Sequence, residues 1–290
     1  MRATRSTSRR AVAVAVTTLA LAGLGACATE EPAEPTASPS PTAEPSAEPT
    51  PTEEPAGEVD VAVHYVVDTR AGLRLAREWR TVPDDEPLQH AVEAMISGPE
   101  DPDYTTTWNP ATTVLSVASE PGSVTVDLSA DARTANVGSE GAALMIQQLV
   151  HTATALDPEA AVTLLIEGEP AGELWGAVVW DEPVLRADPL GTRVLTQIDE
   201  PREGATATSP VRVAGEAAAF EANVPWQVLD ESGAEVTSGF TMTSEGMTFA
   251  PFGFDVELEP GTYTVVITED DPSDGAAGTP MSDSRTFTVE

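Results

Sequence analysis

Three histidines, a single cysteine and a run of arginines are the residues of this sequence best suited to chemistry. His64, His90 and His151 fall on one expected strand and two expected helices, without the short spacings at which histidines share a metal. No HExxH or CxxC stretch occurs, so no metal or other cofactor is expected. A Ser-His-Asp triad is assembled in space rather than in sequence, but no Gly-x-Ser-x-Gly elbow prompts one. His151, at a polar-to-apolar helix border, reads as a satisfied structural histidine. Asp and Glu number 48, and carboxylate pairs are so frequent that none marks the acid and base of a glycosidase. Residues 270–275, DDPSDG, have the outline of a calcium loop. Pro272 at its third position and Met281 at its twelfth break the ligand pattern, so the stretch reads as a solvated hairpin loop. Arg70, Arg74, Arg77 and Arg80 form the one basic cluster beyond the first ten residues. Strand alternation puts Arg74 and Arg80 on one face and Arg77 on the other. They either pair with nearby Glu or receive an acidic partner. Trp108, Trp175, Trp180 and Trp226 read as core or edge packing, with exposed stacking surfaces as the alternative.

Composition narrows the classes further. All 14 basic residues are Arg, and the net charge is -34. So acidic a surface repels nucleic acid and anionic headgroups; it serves solubility, or suits neutral and basic partners. One cysteine forms no internal disulfide, and its position supplies another use. Residues 1–10 are basic, and residues 11–23 are apolar but too short to span a bilayer comfortably. Leu24-Gly25-Ala26-Cys27 follows. This order resembles the lipobox of bacterial lipoproteins. The resemblance implies lipidation of Cys27, cleavage between Ala26 and Cys27, and a membrane partner held through that lipid; two acyl chains anchor firmly where one is marginal. The chain from Cys27 onward would then carry -38, because residues 1–26 hold four Arg and no acid.

Residues 28–58 contain eight Pro, eight Glu and no large apolar residue. Such a stretch buries no core and is expected to be a disordered tether over 27–58. At ~3.1 Å per residue in polyproline II it would reach roughly 90 Å from the membrane.

Two folded domains are expected beyond it, over 59–190 and 195–290. In the first, Val59, Val61, Val63, Tyr65 and Val67 alternate as a half-buried strand, and Leu73–Val82 returns as its hairpin partner. Asp84 or Asp85 caps a helix with Pro87 in its first turn and Leu88, Ala91, Val92, Met95 and Ile96 on its apolar face. A long polar loop holds Asp101, Asp103, Tyr104 and Trp108. Two more strands surround Pro121-Gly122. A second helix is expected from a Ser139 cap to Asp157-Pro158, burying Ile146, Leu149, Val150, Ala153 and Leu156. Val162, Leu164 and Ile166 make a further strand. Two helices on one face of a mixed sheet is an α+β arrangement. The strand ending at Tyr65, Leu73–Arg77, Ile96-Ser97-Gly98-Pro99, Ser123–Leu128 and His151-Thr152-Ala153 resemble the GerMN domain of sporulation, germination and envelope lipoproteins. That resemblance implies a non-catalytic binding or assembly module.

The last hundred residues show short β-branched strands punctuated by Gly and Pro, with no convincing helix. Val211 and Val213 alternate with Arg212; Phe220, Ala222, Val224, Trp226 and Val228 continue the period. Gly233 marks a hairpin, and Phe252–Leu258, Tyr263–Ile267 and Phe287–Val289 supply further strands. This reads as an all-β immunoglobulin-like sandwich without a disulfide. Ser209–Gly215, Phe220-Glu221-Ala222-Asn223-Val224, Asp230–Gly233 and Pro251–Phe254 resemble the immunoglobulin-like domain of bacterial spore germination. The functional expectation is therefore a lipid-anchored protein on the outer face of the cell membrane that is not an enzyme. It would bind or assemble with an envelope component, foremost a protein. The alternatives are an accessory enzyme acting on cell wall and a solute-binding or sensor lipoprotein.

Overall fold

The opening hairpin is built as the alternation predicts. Strands β1 (Glu58–Thr69) and β2 (Gly72–Pro83) pair antiparallel from Glu58↔Pro83 to Thr69↔Gly72, and Gly72 takes the positive φ that the tight turn needs. This is a computed structural model, and it describes residues 57–290 apart from 136, 274, 275 and 277. The expected leader, the lipobox Leu24–Cys27 and the tether up to residue 56 lie outside the described residues, as do two positions of the calcium-like loop.

β1 is buried on both faces, not one. Val61, Val63 and Tyr65 face the main core, while Ala62, His64 and Val66 are covered too. The free edge of β1 is sealed as well. His64 N–H donates to Thr152 Oγ1 at 3.0 Å, His64 C=O accepts from Gln148 Nε2 at 3.0 Å, and Val66 exchanges two bonds with Thr105. Both side chains come from α2 (Ser139–Ala153), so a helix does for this edge what another strand would otherwise do.

Helix α1 (Pro87–Ser97) buries the five apolar residues that its period predicts. Its cap differs: Glu86 holds the cap position and no side chain bonds there, with Pro87 inside the first turn where its missing N–H is harmless. α2 likewise starts after Gly138 rather than from a Ser139 side-chain cap. It ends at Ala153, four residues before Asp157, so Leu156 lies beyond it and is exposed. Between and after the helices, β3 (Val114–Glu120), β4 (Ser123–Leu128), β5 (Ala161–Ile166) and β6 (Glu169–Pro170) form a sheet in that order, mixed because β4 and β5 run parallel. A small hairpin of β7 (Gly172–Leu174) and β8 (Val178–Trp180) drives Trp180 into the core. The short helix α3 (Pro189–Thr192) leads onward.

The remaining strands are β9 (Thr196–Glu200), β10 (Thr206–Ala207), β11 (Val211–Ala217), β12 (Asn223–Asp230), β13 (Glu235–Met242), β14 (Ala250–Val256), β15 (Gly261–Thr268) and β16 (Ser282–Val289). They make a sandwich of a β10-β16-β15-β12-β13 sheet over a β14-β11-β9 sheet. Val213, Val224, Val228, Phe252, Val265, Ile267 and Phe287 fill its interior. Phe220–Ala222 is not strand but a tight turn, with Glu221 and Ala222 at positive φ, and Phe220 is partly exposed. Gly215 has a steric reason: a Cβ there would sit 1.9 Å from the Gln197 carbonyl oxygen, where β9 crosses β11 at a register shift.

Candidate partner-binding surface

Three of the four arginines of the opening hairpin meet acidic partners inside the chain. Arg77 Nη2 lies 2.6 Å from Asp199 Oδ2 and its Nη1 3.0 Å from Glu216 Oε2, both on the sandwich. Trp79 Nε1–H also donates to Asp199, and Gln197 donates to the Arg77 carbonyl at 2.6 Å. Arg70 reaches Glu269 at 2.6 Å. Arg80 alone pairs within its own domain, with Glu78 and Glu100. Glu78 in turn accepts the backbone N–H groups of Glu100 and Asp101 and so holds the long loop in place.

That loop carries the other half of the seam. Asp101, Tyr104, Asp283 and Arg285 are all buried. Arg285 Nη1 bonds Asp101, and Asp283 at 2.9 Å, while Arg285 Nη2–H donates to the Tyr104 hydroxyl at 2.8 Å. Tyr104 O–H donates to Asp283 at 2.5 Å, and Asp283 Oδ2 accepts the Ile198 N–H at 2.6 Å. Burial pushes the Asp101 carboxyl up to about 6 against the pull of Arg285, and raises Asp283 in the same way. Burial also works against the Arg285 charge, but Asp283, Tyr104 and Asp101 outweigh it and hold the guanidinium ionised. The described residues fall in one compact unit, and this network supplies its orientation. Buried ion pairs contribute little net stability but penalise any arrangement that separates them.

His64 and His151 meet beside the seam, with ring centroids 5.0 Å apart. Burial, then Arg186 and Arg193, push His151 down to about 3; burial, then His151, depress His64 well below its ordinary value. Both are neutral at pH 7. His90 lies elsewhere, on α1 between Asp85 and Glu93. Among the described residues no three His, Cys, Asp or Glu side chains gather as a metal site.

The surface most suited to a partner is the outer face of β13. Val236, Phe240 and Met242 alternate there at 49%, 71% and 59% exposure. The inward face is fixed by Trp226, whose ring stacks on Phe254 at 4.4 Å and lies against Gly239; a Cβ at 239 would come within 2.7 Å of it. Any side chain at 239 would displace the indole, so this parity of the strand must face inward and the apolar one outward. β13 pairs with β12 on one side and ends its sheet. An apolar face on an edge strand suits addition of a partner strand or packing of a partner's apolar side chains.

Two family models match the chain. Residues 62–172 fit the family described as sporulation and spore germination, and residues 195–276 fit the immunoglobulin-like domain of bacterial spore germination. The chain carries a GerMN domain followed by an immunoglobulin-like domain of the germination type. Solved structures that match include the tandem GerMN domains of the sporulation protein GerM from Bacillus subtilis, at 16% identity and TM-score 0.39 over 49% of this chain and 50% of that one. The chain thus spans about half the length of that relative. The first GerMN domain of the same protein matches at 20% identity and TM-score 0.35, over 44% of this chain and 97% of that one. A candidate lipoprotein of Clostridium perfringens matches at 18% identity and TM-score 0.31, over 44% and 87%. No curated protein matches. Neither family description names an enzymatic activity.

Two arginines of the cluster, Arg70 and Arg77, thus dock the GerMN domain on the immunoglobulin-like domain, while Arg80 pairs within its own domain and Arg74 donates to the Leu73 carbonyl. The tryptophans pack: Trp108 and Trp180 are buried, and Trp108 meets Trp175 edge-on at 5.8 Å. The Asp101–Tyr104–Asp283–Arg285 network was not anticipated. Its signal was parity, since Asp283 and Arg285 share the strand face of Phe287 and Val289, where burial is expected. No helix among the described residues is long and apolar enough to cross a membrane.

Proposed function

We propose that this protein is a lipid-anchored, extracytoplasmic binding module that holds another envelope protein against the outer face of β13. The carrying observation is the exposed Val236–Phe240–Met242 stripe on a chain otherwise rich in acid. Exposed apolar surface costs ~25 cal/mol per Å² until a partner covers it. The arginine-rich start, the apolar run and Leu24-Gly25-Ala26-Cys27 support the anchor, and the Pro/Glu-rich stretch supports a tether that lifts the two domains from the bilayer.

The function is then positional: bind, hold at a distance, and present. Two tests separate its parts. Cys27→Ser should move the protein from the membrane fraction to the soluble one and remove the mass of lipid; equal release of both forms contradicts the anchor. Purification from membranes should recover a protein partner with the wild type and lose it with Phe240→Lys. Equal recovery with both contradicts the β13 surface.

A further inference from the structure

A cleft of about 360 Å³ opens where the residues after β8 pass the C-terminal end of α2, bordered by His151, Glu159, Leu185, Arg186 and Arg193. Gln147 of α2 clamps the backbone on both sides of Arg186. It donates to the Leu185 carbonyl at 3.2 Å and accepts the Ala187 N–H at 2.8 Å. The guanidinium is thereby tucked under the helix end. Its Nε–H donates to Thr154 Oγ1 at 2.8 Å, and its Nη2–H to the carbonyls of His151 and Thr154, each at 2.9 Å. Nη1 forms no bond among the described residues, and no carboxylate there pairs with this arginine. His151, 2% exposed, borders the same cleft with both ring nitrogens unpartnered.

The charges nearby do not balance. Arg77 takes Asp199 and shares Glu216 with Arg193, which lies 2.8 Å from it. Among ion pairs, three guanidiniums therefore face two carboxylates, and the third nearby carboxylate, Glu159, lies on the exposed rim without bonding Arg186. The last carbonyls of α2 offset roughly half a charge. Burial and then the fields of Arg193 and Arg77 bring Arg186 down to about 10, against the opposing pull of Glu159. The two imidazoles are neutral and add nothing.

We propose that this cleft binds one carboxylate group, with Arg186 Nη1 as its charge partner and His151 as the buried neighbour that reports its arrival. A monoanion fits the one guanidinium without a bonded carboxylate, whereas a dianion would meet about twice the repulsion from a chain carrying -34. Pro158, Leu185 and Pro189 give the cleft an apolar wall that suits the small side chain of a peptide C-terminus. Glu159, on the exposed rim, is an internal competitor for the same charge. This site is independent of the β13 surface and stands or falls separately.

The test is a titration of the full chain in detergent, following imidazole NMR signals with N-acetylalanine, acetate and inorganic phosphate as probes. The His151 signals should shift and saturate with the carboxylates and not with phosphate, while His90 stays still. Tighter binding of N-acetylalanine identifies a peptide end as the occupant; equal binding of acetate identifies a free carboxylate. Arg186→Gln should weaken binding about tenfold, equivalent to ~1.4 kcal/mol. Because Arg186 also caps α2, Glu159→Gln is the second variant: it leaves the cap intact and should tighten binding severalfold. The proposal is overturned by no saturation, by phosphate binding as tightly as carboxylate, or by affinities that neither substitution moves.

Discussion

Arg285 is 3% exposed and Phe240 is 71% exposed. The seam between the GerMN domain and the immunoglobulin-like domain is built from ions and hydroxyls, while the outer face of β13 is built from Val, Phe and Met. The two surfaces thus use opposite materials, and the difference separates their roles. Ions in the seam fix one mutual orientation, because each alternative strands a buried charge. The apolar stripe specifies no orientation within the chain and gains free energy only when something else covers it. A contact completed inside the chain is charged; the one left open is greasy.

The sharpest way to break this contrast is to turn the seam apolar from one side. Arg285→Met leaves Asp101 and Asp283 buried without their cation and should cost about 3–5 kcal/mol in urea unfolding. Adding Asp101→Asn and Asp283→Asn should recover much of that. A loss below about 1 kcal/mol would mean the network is not a constraint.

Gly215→Ala attacks the same seam without touching a charge. A Cβ 1.9 Å from the Gln197 carbonyl must push β9 away, and β9 carries Ile198 and Asp199 into the seam. A loss of about 3 kcal/mol is expected, at the upper end for overpacking, with exposure of Trp79 seen in its fluorescence. An unchanged Trp79 environment would show that β9 docking is not needed to hold the seam.

Acid should loosen the region beneath the seam. The unfolded chain protonates its histidines below about pH 6.5, whereas the folded chain keeps His151 neutral down to about 3. Stability from this group is therefore full above pH 6.5 and falls as pH drops towards 3. Between pH 7 and 5 it should lose ~2 kcal/mol per depressed imidazole. Asp101, raised to about 6, acts in the opposite sense, so the comparison must be with His151→Phe. That variant should lose about 2 kcal/mol less over this interval; equal losses would contradict the buried neutral pair.

The smallest effect on stability is expected at β13. Phe240→Ser should change unfolding by no more than ~0.5 kcal/mol, because its ring touches solvent. A large loss would show that the stripe is part of the core.

Much of the fold is legible in the sequence because its causes are local. The apolar face of α1 follows from spacing alone, as does the alternation of β1. The seam is less legible because its partners lie far apart in sequence. Asp101 and Tyr104 read as a polar loop until Arg285, 184 and 181 residues away, is brought against them. β13 misleads more directly. Alternation at Val236, Phe240 and Met242 argues for an inward face, and only the Trp226 ring on Gly239 reverses it. The cleft at Arg186 is invisible to spacing because it is made by a helix end and a passing segment.

The outer face of β13 is the proposed site for another protein. The direct measurement places a photo-cross-linking side chain at position 240 in the full chain on intact cells, with position 181 as an exposed control away from the stripe. A discrete protein adduct at 240 and none at 181 is the predicted result. Equal labelling at both positions, or none at 240, would contradict it.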